Sequence, residues 1–157
     1  MLKLLVFKRY KIRTYEIGLL FRDGEFQRLL HAGTYWFVDP LLKIRVDILS
    51  QREPWIAHEK LDLIIKSGAL AGNAIVLDLK DHERALVWLE NRFSHILPPG
   101  QYAYWTGQKS VRVEVVDIRG VRFAHEEFKV IVRSPQAGRL LEVVSIQREH
   151  VGVLFID

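Results

Sequence analysis

An internal repeat constrains this chain more than any other feature of its sequence. With Glu16 placed against Glu83, at a spacing of 67 residues, segments 16–61 and 83–128 align without a gap. The 46 aligned pairs contain 12 identities, where random pairing would give about three. The identities include Phe26/Phe93, Leu30/Leu97, Gly33/Gly100, Tyr35/Tyr102, Val46/Val113, Arg52/Arg119 and Ala57-His58-Glu59/Ala124-His125-Glu126. An ungapped register keeps every turn at one length, so we expect two similar units.

The same spacing recurs a third time near the end of the chain. GLLFRD at 18–23 and ALVWLE at 85–90 superpose on GVLFID at 152–157. This predicts a first unit at 1–75, a second at 76–142 and the start of a third at 143–157. A copy that stops so early indicates either a chain cut from a longer protein or a last strand that covers an edge of the second unit.

Each copy has the pattern of antiparallel strands. Val111, Val113 and Val115 alternate with Arg112 and Glu114, which is the period of a half-buried strand. The sequence therefore predicts an all-β fold of two tandem antiparallel units plus the first strand of a third. We expect residues 1–13 to be the first strand, 60–67 and 127–134 to be closing strands, and 67–73 and 134–140 to be loops with at most one helical turn.

The turns between these strands can also be recognised in the sequence. Asp23-Gly24 and Glu90-Asn91 lie between paired apolar runs and predict tight hairpins. Gly33 and Gly100 follow the second strand of each copy, where we expect a positive φ in a turn. The register further predicts that Leu30, Leu97, Val46 and Val113 are buried, and that Arg52 and Arg119 pair with carboxylates of their own units, with Glu59 and Glu126 as the candidates.

Composition excludes several function classes. The chain has no cysteine, which excludes disulfides, thiol nucleophiles and cysteine-bound zinc and fits an intracellular location. Its net charge of +4 comes from interleaved charges of both signs and is a weak argument for nucleic acid. The longest apolar runs have four to five residues, far short of the about 20 that cross a bilayer.

No catalytic motif is present. The dinucleotide, P-loop, nucleophile-elbow and EF-hand patterns are all missing. His125-Glu126 resembles the opening of a zinc-binding HExxH motif, but Lys129 stands where the second histidine is required. We therefore predict no enzyme and assign no catalytic, cofactor-binding or metal-binding residue. The favoured interpretation of His58 and His125 is a structural corner repeated by duplication, and a metal site that uses them with nearby carboxylates is the alternative.

Aromatic clusters and a basic strip are the other candidates for binding. TYWF at 34–37 and QYAYW at 101–105 are more typical of core strands than of stacking platforms, with Trp36 and Ala103 or their neighbours facing outward. The basic strip consists of Lys3, Lys8, Arg9, Lys11 and Arg13. A solvated strand face explains it best, whereas contact with anionic lipid or, together with the aromatics, with nucleic acid is the alternative.

The motifs resemble the stomatin/prohibitin (SPFH, band 7) superfamily. YEIGLLFRDGEFQRLLHAGTYWFVDP followed by KIRVDI is similar to the front strands of that domain, and ERALVWLENRFSHILPPGQYAYW with VRVEVVDIR and EHVGVLFID fit the same pattern. The whole chain looks like the N-terminal tandem-repeat region of a bacterial slipin.

That resemblance implies a scaffold without catalytic residues or cofactors. Members of the family assemble into oligomers at membranes and associate with membrane proteases or channels. The expectations for this chain are protein partners, a membrane protease among them, self-association in a longer protein, no nucleic acid, and peripheral membrane attachment. The implied location is the cytoplasm, with the inner face of the plasma membrane as the place of attachment.

Overall fold

The computed structural model describes residues 7–120, 122–141, 146–149 and 151–152. The first unit contains β1 (Phe7–Ile12), β2 (Glu16–Arg22), β3 (Glu25–Leu30), β4 (Gly33–Val38), β5 (Ile44–Ser50) and α1 (Leu61–Lys66). The second contains β6 (Ala74–Leu79), β7 (Glu83–Leu89), β8 (Arg92–Leu97), β9 (Gly100–Trp105), β10 (Val111–Asp117), α2 (Phe128–Val132) and α3 (Ala137–Leu140). Strands dominate, which confirms the predicted all-β class.

The two units share one topology. β1 pairs with β4 and β2 lies between β3 and β5 in the first unit; β6 pairs with β9 and β7 lies between β8 and β10 in the second, all antiparallel. The strand bounds of the second unit lie 67 residues after those of the first, from β1 and β6 onward. This confirms two repeated units and extends the repeat to a strand that precedes the aligned segments. The unit boundary placed between residues 75 and 76 falls inside β6.

Each unit closes around its own small core. Ile12, Leu20, Leu30 and Ile44 pack together in the first unit, and the second unit has a cluster that includes Leu97. Leu30 and Leu97 are buried as predicted. Val46 and Val113 are only half-buried, so the prediction that they are buried is wrong.

The hairpin turns have the predicted backbone geometry. Asp23 and Gly24 have φ of 53° and 82°, and Glu90 and Asn91 have φ of 51° and 60°, as two-residue hairpin loops require. Gly33 and Gly100 have φ of 157° and 144°. Both glycines are the first residue of a strand, directly after the turn, rather than a residue within it.

The predicted closing strands are wrong. Segment 60–67 contains α1 and segment 127–134 contains α2. In α1, Ile64 is fully buried and Leu61 and Ile65 pack beside it, so the apolar residues follow the helical spacing of three and four. The helices are too short for that period to stand out in the sequence. The loops at 67–73 and 134–140 are confirmed, with α3 as the one helical turn of the second.

The strand predicted at 152–157 lies outside the described residues, apart from Gly152. The strand predicted at 1–13 is confirmed over residues 7–12, which form β1, and its first six residues are likewise outside the described part. Across the described ranges, no helix is long and apolar enough to cross a membrane.

Candidate functional site

The junction between the two units is built from backbone as well as side chains. The segment after β5 runs along β9, where the Ile56 N–H donates to the Ala103 carbonyl at 2.9 Å and the Trp105 N–H donates to the Pro54 carbonyl at 2.7 Å. Trp55 and Tyr104 form an antiparallel bridge. The first unit therefore adds a short bridge-forming segment to the edge of the β6–β9 sheet of the second.

Alternation along β9 gives this strand two different apolar faces. Tyr102 and Tyr104 pack into the core of their own unit. Ala103 and Trp105 point the other way and are 0% and 1% exposed. They pack in a cluster with residues of the first unit, namely Ile17, Leu19, Phe21, Ile56, Ile64 and Leu70. The expectation that Ala103 is exposed is wrong, because the first unit covers it.

The equivalent strand of the first unit is uncovered on that side. Trp36 and Val38, which match Ala103 and Trp105 in the repeat, are 65% and 51% exposed. Phe7 on the paired strand β1 is exposed as well, and the Arg9 guanidinium lies 5.6 Å from the centre of the Trp36 ring. We call Phe7, Trp36 and Val38 the open strand face. It agrees with the expectation that Trp36 faces outward.

His58 and His125 occupy matching corners. His58 Nδ1 accepts the Lys60 N–H at 3.1 Å, and its Nε2 lies 3.1 Å from Asp47. His125 Nδ1 accepts the Glu127 N–H at 2.9 Å, and its Nε2 lies 3.0 Å from Glu114. Because Nδ1 accepts a backbone proton, the neutral ring carries its own proton on Nε2 and donates it to the carboxylate. Both nitrogens of each ring are engaged, as a structural corner requires.

The aromatic ring beside each histidine contacts different residues in the two units. In the first unit, the Lys60 ammonium lies 5.4 Å from the centre of the Phe21 ring. In the second, Trp88 replaces phenylalanine and its indole N–H donates to Glu127 at 2.7 Å. Arg112 lies over the Trp88 ring and also bonds Glu127. Hydrogen bonds from Trp88 and from Arg112 lower the pKa of Glu127, so the carboxylate stays charged at neutral pH.

The prediction that each of Arg52 and Arg119 pairs with a carboxylate of its own unit is confirmed for Arg119 and wrong for Arg52, and neither candidate carboxylate, Glu59 or Glu126, is the partner. Arg119 bonds Asp117, only two residues away, and that hydrogen bond lowers the pKa of Asp117 to about 2. Arg52 instead lies over the ring of Tyr15 at 4.0 Å. Glu59 bonds Arg45. The repeat has Ser50 where the second unit has Asp117, so the carboxylate that holds Arg119 has no counterpart for Arg52.

Two of the four described residues of the basic strip, Lys8 and Arg13, bond partners within the fold. Lys8 bonds Asp39 at 2.7 Å, and Arg13 bonds Tyr15. Asp39 is buried and also accepts the N–H groups of Lys43 and Ile44. Burial by itself would raise the pKa of Asp39, but these hydrogen bonds together lower it. Lys3 lies outside the described residues.

An aromatic cluster that sequence reasoning missed lies beside the junction. Trp55 stacks against His95 and Tyr104, and His95 Nε2 lies 2.9 Å from the Tyr104 hydroxyl. Burial lowers the pKa of His95 and raises that of Tyr104 to about 12. Only the pairing of the 54–56 segment with β9 brings these residues together, and no local pattern in the sequence signals that pairing.

Among the described residues, no group of three or more His, Cys, Asp or Glu side chains could hold a metal ion. Comparison of the chain with protein-family models, with curated proteins and with solved structures finds no match. The junction and the surfaces related to it by the repeat are therefore the features from which a function can be argued.

Proposed function

We propose that this chain is a non-enzymatic scaffold module, the N-terminal part of a slipin (SPFH-type) protein that assembles at membranes and organises protein partners. The observation that carries the proposal is the junction, in which one β unit covers the β6–β9 sheet of the next with both strand pairing and a shared apolar cluster. A unit that docks on its successor in this way is the building block of an array.

The roles of the repeated polar side chains support the same proposal. The polar side chains that recur in both units, such as those of His58 and His125, hold corners of the fold through matched contacts. A duplicated unit whose repeated polar groups are used for its own structure offers surfaces for packing rather than a converging reaction centre. The exposed apolar residues of the open strand face, Phe7, Trp36 and Val38, are of the kind that bind other proteins.

The resemblance of the repeated motifs to the front strands of SPFH domains supplies the family, the membrane setting and the location. On that basis we propose a cytoplasmic protein attached peripherally to the inner face of the plasma membrane, with a membrane protease as one candidate partner. Within the basic strip, Lys8 and Arg13 have partners within the fold, so we do not assign the attachment to these two residues.

Fractionation of the source cells tests this function directly. The native protein should be found with the membrane fraction and should migrate on native gels in complexes many times larger than a single chain. Release by high salt or carbonate, without detergent, would support peripheral attachment. A protein that stays monomeric and away from membranes in the cell would overturn the proposal.

A further inference from the structure

A pocket lies beside the junction, where the aromatic cluster around Trp55 reaches the surface. Its volume of about 540 Å³ is in the range of pockets that bind ligands. Trp55 belongs to the first unit, and the rest of the lining belongs to the second. We call it the junction pocket, and its lining includes Trp55, Ser94, His95, Pro98, Tyr102 and Gln136.

The aromatic side of the junction pocket is held in place from behind. Trp55 is 52% exposed, and its ring stacks against His95 and Tyr104. His95 lies between two hydroxyl groups, that of Ser94 at 2.8 Å and that of Tyr104 at 2.9 Å. Tyr102 meets Trp55 edge-on, with the ring planes at 61°. The two rings form an aromatic corner that is already ordered before a ligand arrives, which lowers the entropy lost on binding.

Polar groups of the junction pocket are left unused by the fold. No hydrogen bond among the described residues involves the indole N–H of Trp55 or the hydroxyl of Tyr102, whereas the matching hydroxyl of Tyr35 donates to the His31 carbonyl at 3.0 Å. The Oε1 atom of Gln136 is buried and has no partner in the same part of the chain. This amide gains a hydrogen bond if it turns towards a donor in the pocket.

The charge of the lining restricts the ligand. Among the described residues that line the junction pocket, none is Asp, Glu, Lys or Arg. Burial lowers the pKa of His95, so its ring is neutral at pH 7. Phosphates and carboxylates are bound through charge-assisted hydrogen bonds from basic side chains, and this pocket offers no such side chain. It suits a neutral ligand with apolar surface and carbonyl acceptors.

The repeat indicates that neither the fold nor a neighbouring unit takes up this pocket. Trp55 matches Arg122, which is exposed, so the aromatic corner is a departure from the repeat. The residues that match Ser94, His95 and Pro98 stay exposed although the second unit is docked on the first, and they are Gln27, Arg28 and His31. A further unit docked on the second in the same way would leave the junction pocket open.

We propose that the junction pocket binds a proline-rich segment of a partner protein in the polyproline II conformation. Aromatic-lined grooves suit such segments because the extended helix is preformed and loses little entropy on binding. Its backbone has no internal hydrogen bonds, so its carbonyls accept from the Trp55 indole and the Tyr102 hydroxyl while proline rings pack in the aromatic corner. An N–H of a residue other than proline donates to Gln136. This inference rests on the proposed scaffold function and names the kind of segment by which a partner is held.

NMR titration of the full chain, followed at the tryptophan indole N–H signals, tests the proposal. The chain has four tryptophans, and Trp55→Ala identifies the Trp55 signal by its loss. The probe is a synthetic peptide with leucine at every third position and proline elsewhere, and the control peptide has alanine in place of each proline. The proline peptide should shift the Trp55 signal and leave those of the buried Trp88 and Trp105 in place, and the alanine peptide should shift none.

Calorimetric titration of variants measures what each group contributes. Trp55→Ala should weaken binding of the proline peptide by about 30-fold or more, as for an aromatic anchor. Tyr102→Phe removes only the hydroxyl and should weaken it by about 3- to 10-fold. Trp36→Ala removes an exposed tryptophan of the open strand face and is the matched control, which should bind like the wild type. If Trp55→Ala does not fold, the signals of the wild type and the affinity of Tyr102→Phe decide.

Three results would overturn the proposal: a Trp55 signal that does not move at millimolar peptide, equal shifts with both peptides, or wild-type affinity in Trp55→Ala. Sugars also stack on tryptophan, so maltohexaose is titrated in parallel. A Trp55 shift with the sugar and not with the peptide would assign the pocket to carbohydrate and contradict the peptide. The scaffold function fails separately, since it requires large membrane complexes in cells, whereas the pocket is tested on the purified chain.

Discussion

At the scale of single residues, the two corners show how one substitution requires another. A phenylalanine at position 21 needs no hydrogen-bond acceptor, and a lysine ammonium near its ring is tolerated. The buried indole N–H of Trp88 needs an acceptor, and Glu127 supplies it where the repeat has Lys60. The sequence shows both differences, but only the structure shows that the two positions touch.

Exchanging these residues tests that dependence. Glu127→Lys should destabilise the chain, because the buried indole N–H loses its acceptor, a loss of about 1–3 kcal/mol for a buried donor left unsatisfied. Adding Trp88→Phe reproduces the pair of the first unit and should recover part of the lost stability. Urea unfolding of the wild type, both single variants and the double variant measures the coupling. Effects that simply add would show that Trp88 and Glu127 act independently.

His95 predicts a dependence of stability on pH. Burial lowers its pKa in the folded protein, while the unfolded chain has the ordinary value of about 6.5. Below that value the unfolded state takes up a proton that the folded state resists, so stability is present above about pH 6.5 and falls as the pH drops towards the folded pKa. The carboxylates with lowered pKa, such as Asp117, lose their contribution only at more acidic pH.

Thermal unfolding between about pH 7 and pH 5 should therefore show a fall in midpoint for the wild type that is smaller in His95→Phe. The phenyl ring keeps the stacking partner of Trp55 but does not titrate. His31→Gln, a change at an exposed histidine, should show the same fall of the unfolding midpoint with pH as the wild type. An unchanged slope in His95→Phe would mean that another group is responsible.

At the scale of elements, the turns were predictable and the short helices were not. Asp23-Gly24 and Glu90-Asn91 carry local signals, since the positive φ values at these positions favour small or turn-forming residues. Segment 61–66 carries leucine or isoleucine at four of its six positions, and the two adjacent isoleucines favour a strand. It becomes helical because the three residues Leu61, Ile64 and Ile65 reach one apolar cluster, and tertiary packing of this kind overrides propensity.

Gly100 at the start of β9 gives a prediction for an element boundary. Its φ of 144° is a conformation that residues with a side chain rarely adopt, and an added Cβ would lie 3.2 Å from the Tyr102 hydroxyl. Gly100→Ala should cost about 1–3 kcal/mol of stability. Gly138→Ala, in a helical turn with nothing within 4 Å of the added Cβ, should be neutral or slightly stabilising. Chemical denaturation of both variants compares them, and equal effects would contradict the strain argument.

At the scale of the whole molecule, the repeat register was enough to predict two units of one topology, but not how they meet. Alternation along QYAYW places Ala103 on the other face of the strand from Tyr102 and Tyr104. We therefore expected Ala103 to face solvent. The missing information was the path of the Pro54–Ile56 segment, which crosses to the next unit and buries Ala103. Aligning the two repeats shows which positions are equivalent, but it does not show which residues of one unit contact residues of the other.

The shared cluster at the junction should make the two units unfold together. Residues from β2, α1 and β9 pack in that single cluster. Unfolding of one unit would therefore expose apolar surface of the other, which favours one cooperative transition.

Ala103→Trp tests this coupling, because it puts the residue of the first unit at the buried position of the second. Overpacking of this kind costs about 1–3 kcal/mol and should separate the two units, so that calorimetry shows two transitions in place of one. The matched change Trp36→Ala, at the exposed equivalent, should leave the monomer within about 0.5 kcal/mol of the wild type. A single transition at the wild-type midpoint in Ala103→Trp would mean that the junction does not couple the units.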